Sequence, residues 1–168
     1  MEQVEYPMMS GGNTIAVATA LLETGMIPMT DEIMEFNLEA PAGVIGIKAY
    51  CDLAKKKCVK VEFENVPAFA VYLDKEIDVP HIRQVKVDIA WGGMFYALID
   101  STQFKDYGPN GLELLPENGK EISKLSSLIT TAAIEQCPVE HPDYPGVGIT
   151  LSVMHQTPVT PATNMSTY

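Results

Sequence analysis

The sequence has few basic residues and few cysteines, and each of these features excludes a class of protein. Its 168 residues include 11 Lys and Arg against 22 Asp and Glu, which gives a formal net charge of −11. Such a chain repels phosphate backbones, so we expect no nucleic acid partner. The three cysteines are an odd number and form no Cys-x-x-Cys motif. This cysteine content favours reduced thiols in the cytoplasm over a disulfide framework.

Long apolar runs, nucleotide-binding loops and metal-ligand clusters are also missing. No run of 18 apolar residues occurs, so we expect no membrane span, and residues 1–9 lack the basic and apolar regions of a signal peptide. There is no Walker-type loop and no dinucleotide fingerprint. His81, His141 and His155 do not stand at metal-ligand spacing, so we predict no metal site and interpret them as structural or surface residues. An apolar content of 46% still allows a hydrophobic core.

The most informative stretch is residues 5–25, where a loop turns into a helix. Residues 10–13 read Ser-Gly-Gly-Asn, in which the glycines permit a sharp turn. Asn13 is a good N-cap for a helix that begins at Thr14. That helix is apolar nearly all round until Gly25, which predicts that other structure surrounds it. Its first amides and its dipole favour an anion such as a carboxylate, with Ser10 at the mouth of the helix.

Alternation of apolar and polar residues predicts the strands of the first half. Residues 33–39 and 59–64 follow this pattern, and residues 44–50 are predicted to form the strand between them. A turn at residues 65–67 should lead into a return strand at 68–73. The first half is therefore predicted to be a buried helix with an antiparallel meander. We expect residues 74–80 to cross into the second half.

The second half combines strands with an amphipathic helix. Strands are predicted at residues 85–90, 95–99 and 148–154. Asn118 and Glu121 resemble a capping box at the start of a helix that ends before Pro138. That helix has an apolar face, formed by Ile122, Leu125, Ile129, Ala132 and Ala133. The resulting fold class is α+β.

Three segments in order resemble one protein family. Residues 9–15 read MSGGNTI, residues 62–74 read EFENVPAFAVYLD and residues 88–100 read DIAWGGMFYALID. They are similar to the proline racemase family, which includes hydroxyproline epimerases and trans-3-hydroxyproline dehydratases. The family patterns are Met-Cys-Gly-His-(Gly or Asn)-Thr-Ile for the first segment and Asp-Ile-Ala-Phe-Gly-Gly-Asn-Phe-Tyr-Ala for the last. The resemblance extends over about residues 5–155.

The resemblance implies both a fold and an activity. The fold is diaminopimelate epimerase-like, with two pseudo-symmetric halves that each curl an antiparallel sheet around a central helix. The halves would correspond to residues 1–76 and 77–168, an incomplete pair in which the second lacks its catalytic motif. The implied activity is proton abstraction at Cα of proline or hydroxyproline without a cofactor. Ser10 occupies the catalytic position, and Gly11, Gly12 and Asn13 would hold the substrate carboxylate.

The sequence departs from the family at positions that affect the chemistry. Ser10 replaces the usual Cys, Gly12 the usual His and Met94 the Asn of the later motif. No Asp-Arg-Ser-Pro-Cys-Gly-Thr-Gly motif is present, since Pro-Val-Glu follows Cys137. The chain thus resembles the middle of a family protein, truncated at both ends. Two hypotheses remain: an epimerase or dehydratase, or a non-catalytic relative that pairs as a homodimer or with a complementing chain.

Overall fold

The structure, a computed structural model, describes residues 7–108 and 111–156. In these residues two helices and seven strands form, together with two short 3₁₀ turns. The elements are α1 (Gly11–Glu23), β1 (Ile33–Ala40), β2 (Gly43–Asp52), β3 (Lys57–Glu64), β4 (Phe69–Val79), β5 (Arg83–Trp91), β6 (Phe95–Asp100), α2 (Gly119–Gln136) and β7 (Ile149–His155), with 3₁₀ turns at Ser101–Phe104 and Pro116–Asn118. The α+β class predicted from the sequence is confirmed.

The described residues divide into two compact units. One contains the residues up to Phe69 together with Gly92–Met94, and the other contains Ala70–Trp91 and the residues from Phe95 onward. The half-domain boundary that the family resemblance places between residues 76 and 77 stays a prediction. Strand β4 runs through that position without interruption.

The first unit is a three-stranded antiparallel sheet in the order β1-β2-β3, with α1 against one face. Ile47 lies opposite Phe36 on one side and Phe63 on the other, so these apolar side chains share a face. Helix α1 buries Ala18 and Leu22. The two residues are four positions apart, so they lie on the same side of the helix. This is the side that faces the sheet.

Two sequence predictions for α1 are wrong. The helix begins at Gly11 with Ser10 as N-cap, because the Ser10 backbone is extended (φ −131°, ψ 110°) and the first helical bond runs from Thr14 N to Ser10 O at 2.9 Å. Asn13 therefore lies in the first turn and is not the cap. The described residues also fail to surround the helix, since Ile15 is 40% exposed and Val17 is 47% exposed. A single sheet covers only one side of a helix.

The second unit contains a four-stranded sheet in the order β4-β5-β6-β7. Strands β5 and β6 are antiparallel, whereas β6 and β7 are parallel, with α2 in the connection between them. Parallel neighbours need such a crossover. Helix α2 packs against β7 and β6, and its predicted apolar face is confirmed at four buried residues: Leu125, Ile129, Ala132 and Ala133.

Two details of the second unit differ from the sequence prediction. Strand β4 lies beside β5, so it does not return along β3 as the predicted turn at residues 65–67 suggested, and it continues to Val79 through most of the predicted crossing segment. Asn118 is the N-cap of α2, but within the described residues its side chain makes no capping bond. Its amide donates instead to the carbonyl oxygen of Glu113 at 2.9 Å. The predicted capping box is wrong because the Asn118 backbone is already helical (φ −88°, ψ 0°), whereas a capping residue is extended. In residues 7–108 and 111–156 no helix has the length and apolar character needed to cross a membrane.

The last turn of α1 is joined to β3 by an ion pair. Lys57 Nζ donates to Glu23 Oε2 at 2.6 Å, and the backbone N–H of Cys58 donates to Glu23 Oε1 at 3.1 Å. The Lys57 hydrogen bond and then the Cys58 hydrogen bond lower the pKa of Glu23 from its ordinary value of 4.5. A lowered pKa means that the carboxylate stabilises the folded chain above its unfolded pKa. This contribution disappears as the pH falls through the folded pKa.

Glu23→Gln should therefore lower the melting temperature near neutral pH and have a smaller effect in acid. The measurement is thermal unfolding of both proteins from pH 7 down to about pH 3. Lys57→Met is the partner control, and the double variant should lose less than the sum of the two single losses. If the melting temperatures of Glu23→Gln and the parent differed by the same amount at every pH in this range, the stabilising role of the Glu23 carboxylate would be contradicted.

Candidate active site

Ser10 stands where an extended segment becomes a helix. Because the helical ladder starts with the bond from Thr14 N to Ser10 O, the amides of Gly11, Gly12 and Asn13 precede the ladder. Within the described residues, the Ser10 side chain makes no capping bond to the helix amides. The helix end therefore combines a serine hydroxyl with three backbone donors and the positive end of the helix dipole. Such an end favours a negatively charged group.

A cavity of about 210 Å³ opens at this end of α1. Helix residues line one side and the residues before Ser10 line another. The remainder comes from the end of β1, the following turn and the start of β2. The lining residues are Pro7, Met8, Met9, Ser10, Asn13, Thr14, Val17, Leu38, Glu39, Ala40, Pro41 and Ile45. All of them belong to the first unit.

The cavity contains two of the four site residues predicted from the sequence. Ser10 and Asn13 line it, whereas Gly11 and Gly12 are not in its lining. Gly11 lies against the sheet, since an added Cβ would come within 3.0 Å of Phe63 Cζ. An added Cβ at Gly12 would meet no described atom within 4 Å. Position 12 thus has room for a side chain such as the family's histidine, whereas a side chain at position 11 would have to displace the ring of Phe63.

Glu39 is a lining residue that the sequence analysis missed. It is exposed near the end of β1 and pairs in register with Val44. Its alternation with apolar neighbours placed it on the polar face of a strand, and that pattern carries no sign of a cavity. Its position directly before the Ala-Pro-Ala-Gly turn was the available signal. A carboxylate here would suit a cationic group of a ligand.

The Gly-Gly loop of the DIAWGGMF segment fixes the residue before Ser10. Gly93 has φ +97°, and a Cβ built on it would lie 2.6 Å from Met9 Cβ. Met9 is buried, and Asn65 holds the loop through a bond from Nδ2 to Gly92 O at 2.9 Å. The strands predicted on both sides of the two glycines, at residues 85–90 and 95–99, are confirmed as β5 and β6. The structure adds that Gly93 allows close packing on Met9, next to the site.

Trp91, which directly precedes that loop in the sequence, belongs to an aromatic cluster of the second unit. His141 is buried, and the centroid of its ring lies 4.4 Å from that of Trp91 and 4.6 Å from that of Tyr144. The Nδ1 of His141 accepts the backbone N–H of Asp143 at 3.1 Å. Stacking and a local hydrogen bond account for a buried imidazole at this position. In the described residues no three His, Cys, Asp or Glu side chains are placed to hold a metal ion.

Comparison with known proteins gives the same family as the three segments. The family model described as proline racemase matches residues 1–167. A solved structure of a probable proline racemase from Agrobacterium radiobacter, with bound carbonate, superimposes with a TM-score of 0.81 at 31% identity. The match covers 90% of this chain and 43% of the chain of that proline racemase.

A second solved structure is similar to a comparable degree. It is a hydroxyproline epimerase from Agrobacterium vitis with bound trans-4-hydroxy-L-proline, with a TM-score of 0.74 and 34% identity. The match covers 83% of this chain and 38% of that one. This chain therefore spans about two fifths of the length of these relatives. The chain belongs to the proline racemase family.

Proposed function

We propose that this chain abstracts the Cα proton of proline or a hydroxyproline without a cofactor, with Ser10 as the catalytic residue. The observation that carries the proposal is the position of Ser10 at the N-cap of α1, on the wall of a cavity. The substrate carboxylate would accept hydrogen bonds from the amides of Gly11, Gly12 and Asn13 at the helix end. The bound hydroxyproline of the epimerase relative supports this class of substrate.

The cavity has the size and charges for a cyclic amino acid. Its volume of about 210 Å³ equals that of about seven waters at ~30 Å³ each, which is close to the eight or nine heavy atoms of proline or hydroxyproline. The helix end favours the substrate carboxylate, and Glu39, which lines the cavity from the end of β1, would favour its ammonium group. A zwitterion carries both of these charges.

Serine bears on the choice of reaction. A hydroxyl is much harder to ionise than a thiol, and it becomes a useful base only when another group takes its proton or stabilises its anion. The helix dipole provides part of that stabilisation. Epimerisation needs an acid and a base on opposite faces of Cα. Elimination of water from 3-hydroxyproline needs one base and a leaving hydroxyl, so it suits a serine site better.

A second candidate function is a non-catalytic relative that acts through association with a copy of itself or with a complementing chain. The apolar side chains of Ile15 and Val17 are exposed on α1, and exposed apolar side chains favour association with another chain. For either function we place the chain in the cytoplasm, which its free cysteines Cys51, Cys58 and Cys137 support.

Proton NMR in D₂O tests the catalytic proposal. The chain is incubated in parallel with trans-3-hydroxy-L-proline, trans-4-hydroxy-L-proline and L-proline. We expect the Cα signal of one substrate to disappear, and Ser10→Ala to lower that exchange by at least about 100-fold. Ser123→Ala, an exposed serine on α2, is the matched control and should retain full exchange.

The product identifies the reaction. An unsaturated or keto product means dehydration, and a new diastereomer means epimerisation. Absence of exchange from a folded chain, with all three substrates, would overturn the catalytic proposal and leave the association function. Analytical ultracentrifugation of the same sample would then test for a dimer.

A further inference from the structure

Cys51 and Cys58 face each other across neighbouring strands. Cys51 lies near the end of β2 and Cys58 near the start of β3, and the two are direct partners in the antiparallel register. A bulge next to Cys51 shifts the register by one residue relative to the preceding pairs, and this shift brings the two cysteines opposite each other. The sequence predicts reduced thiols here, because the cysteines form no Cys-x-x-Cys motif.

The register suits a disulfide. Directly opposed residues of antiparallel strands have Cα atoms about 4.5–5.5 Å apart, and disulfides form at Cα separations of about 4.4–6.8 Å. Burial, then the charge of Cys58 and a side-chain hydrogen bond with it, raise the pKa of Cys51. The Cys58 thiol lies 3.7 Å from the carbonyl oxygen of Lys60.

We propose that Cys51 and Cys58 form a reversible cross-strand disulfide site, with a low-molecular-weight disulfide as the oxidant. Cys51 is only 7% exposed, whereas Cys58 is half-buried. Cys58 is therefore the residue that a small disulfide, RSSR, reaches first.

The exchange balances without any further oxidant. The Cys58 thiolate attacks RSSR, one RS⁻ leaves, and a mixed disulfide forms on Cys58. Cys51 then loses its proton and attacks the Cys58 sulfur, and the second RS⁻ leaves as the intramolecular bond forms. The two thiols are oxidised and RSSR is reduced to two RSH. An excess of RSH reverses both steps.

The site lies away from Ser10. The backbone N–H of Cys58 donates to Glu23, the last residue of α1. Ser10 precedes the first residue, and a helix of 13 residues is about 20 Å long at 1.5 Å per residue. The disulfide would fasten the β2–β3 hairpin beneath the far end of α1. It is therefore distinct from the family's proton-abstraction site and does not depend on the proposed function.

The test is incubation of the folded full chain with oxidised glutathione, followed by trypsin digestion without reduction. Trypsin cleaves after the lysines between the two cysteines, so residues 49–55 (AYCDLAK) and residues 58–60 (CVK) separate unless they are crosslinked. We expect mass spectrometry to find these two peptides joined, with the loss of two hydrogens, and separated again after dithiothreitol. Buried Cys137 should remain a thiol.

A matched variant tests whether the crosslink requires the two cysteines to face each other across the strands or only to be close in sequence. Tyr50→Cys combined with Cys51→Ala keeps almost the same spacing but moves the thiol to the other face of β2. This variant should stop at glutathionylated Cys58 without an internal crosslink, and circular dichroism should show that it remains folded. An equal yield of internal crosslink from this variant would overturn the proposal. So would a parent chain that ends with free or glutathionylated Cys51 and Cys58.

Discussion

Replacing Gly111 with alanine is expected to lower the free energy of unfolding by about 3 kcal/mol. Two effects add at this position. Gly111 has φ +71°, a region that costs an L-residue about 1–2 kcal/mol. A Cβ would also overlap the backbone carbonyl oxygen of Lys105, with the carbonyl carbon only 3.1 Å away. Because the obstacle is backbone, no side-chain rotation relieves it.

Gly146→Ala is the matched control for Gly111→Ala. Gly146 has φ +82°, but a Cβ on it would meet no described atom within 4 Å. It should cost only the backbone term of about 1–2 kcal/mol. Urea unfolding of both variants measures the difference between their free energies of unfolding. Equal dependence of the two free energies on urea concentration would show that the two unfolding midpoints can be compared. Equal losses in the two variants would show that the contact with Lys105 does not contribute.

Local sequence patterns predicted the elements well and their partners less well. The apolar face of α2 required only the period of the helix and is present. The alternation in β3 holds at Val61 and Phe63 but fails at Val59, which is 68% exposed and has no partner in the register because it lies at the bulge. The start of α1 was misplaced because Ser10 and Asn13 are both good caps, and only the backbone conformation distinguishes them. A strand was predicted only for residues 68–73, and the local sequence could not show that β4 continues to Val79 and pairs with β5.

The candidate site was predictable in position and only partly in composition. The Gly-Gly turn before an apolar helix identified the helix end, and the family segments identified Ser10. Glu39 was missed because a strand-period acid has the same appearance whether it faces solvent or a cavity. The pairing of Cys51 with Cys58 was missed because it depends on a bulge. Contacts between distant segments leave no local pattern, and the clearest example joins Gly93 to Met9.

Gly93→Ala is expected to lower the free energy of unfolding by about 3 kcal/mol and to reduce the Cα-proton exchange proposed for Ser10. Gly93 has φ +97°, and the new methyl would lie 2.6 Å from Met9 Cβ and 3.4 Å from its Cγ. Because the Cβ of Met9 is bonded to its Cα, the overlap is relieved only if the backbone before α1 moves. That backbone continues directly into Ser10. Gly25→Ala, with φ +75° and no described atom within 4 Å of the new Cβ, is the control for backbone strain alone.

A double-mutant cycle distinguishes this contact from general damage. The overlap involves the Cβ of Met9, which Met9→Ala retains and Met9→Gly removes. Although each change at position 9 is itself destabilising, Met9→Gly should recover part of the loss caused by Gly93→Ala, whereas Met9→Ala should recover little. Urea unfolding of the singles and doubles gives the two coupling energies. Equal coupling energies would mean that Gly93 does not position Met9. A large coupling with Met9→Gly alone would show that the Gly-Gly loop holds the segment carrying Ser10 through one close contact that only glycine permits.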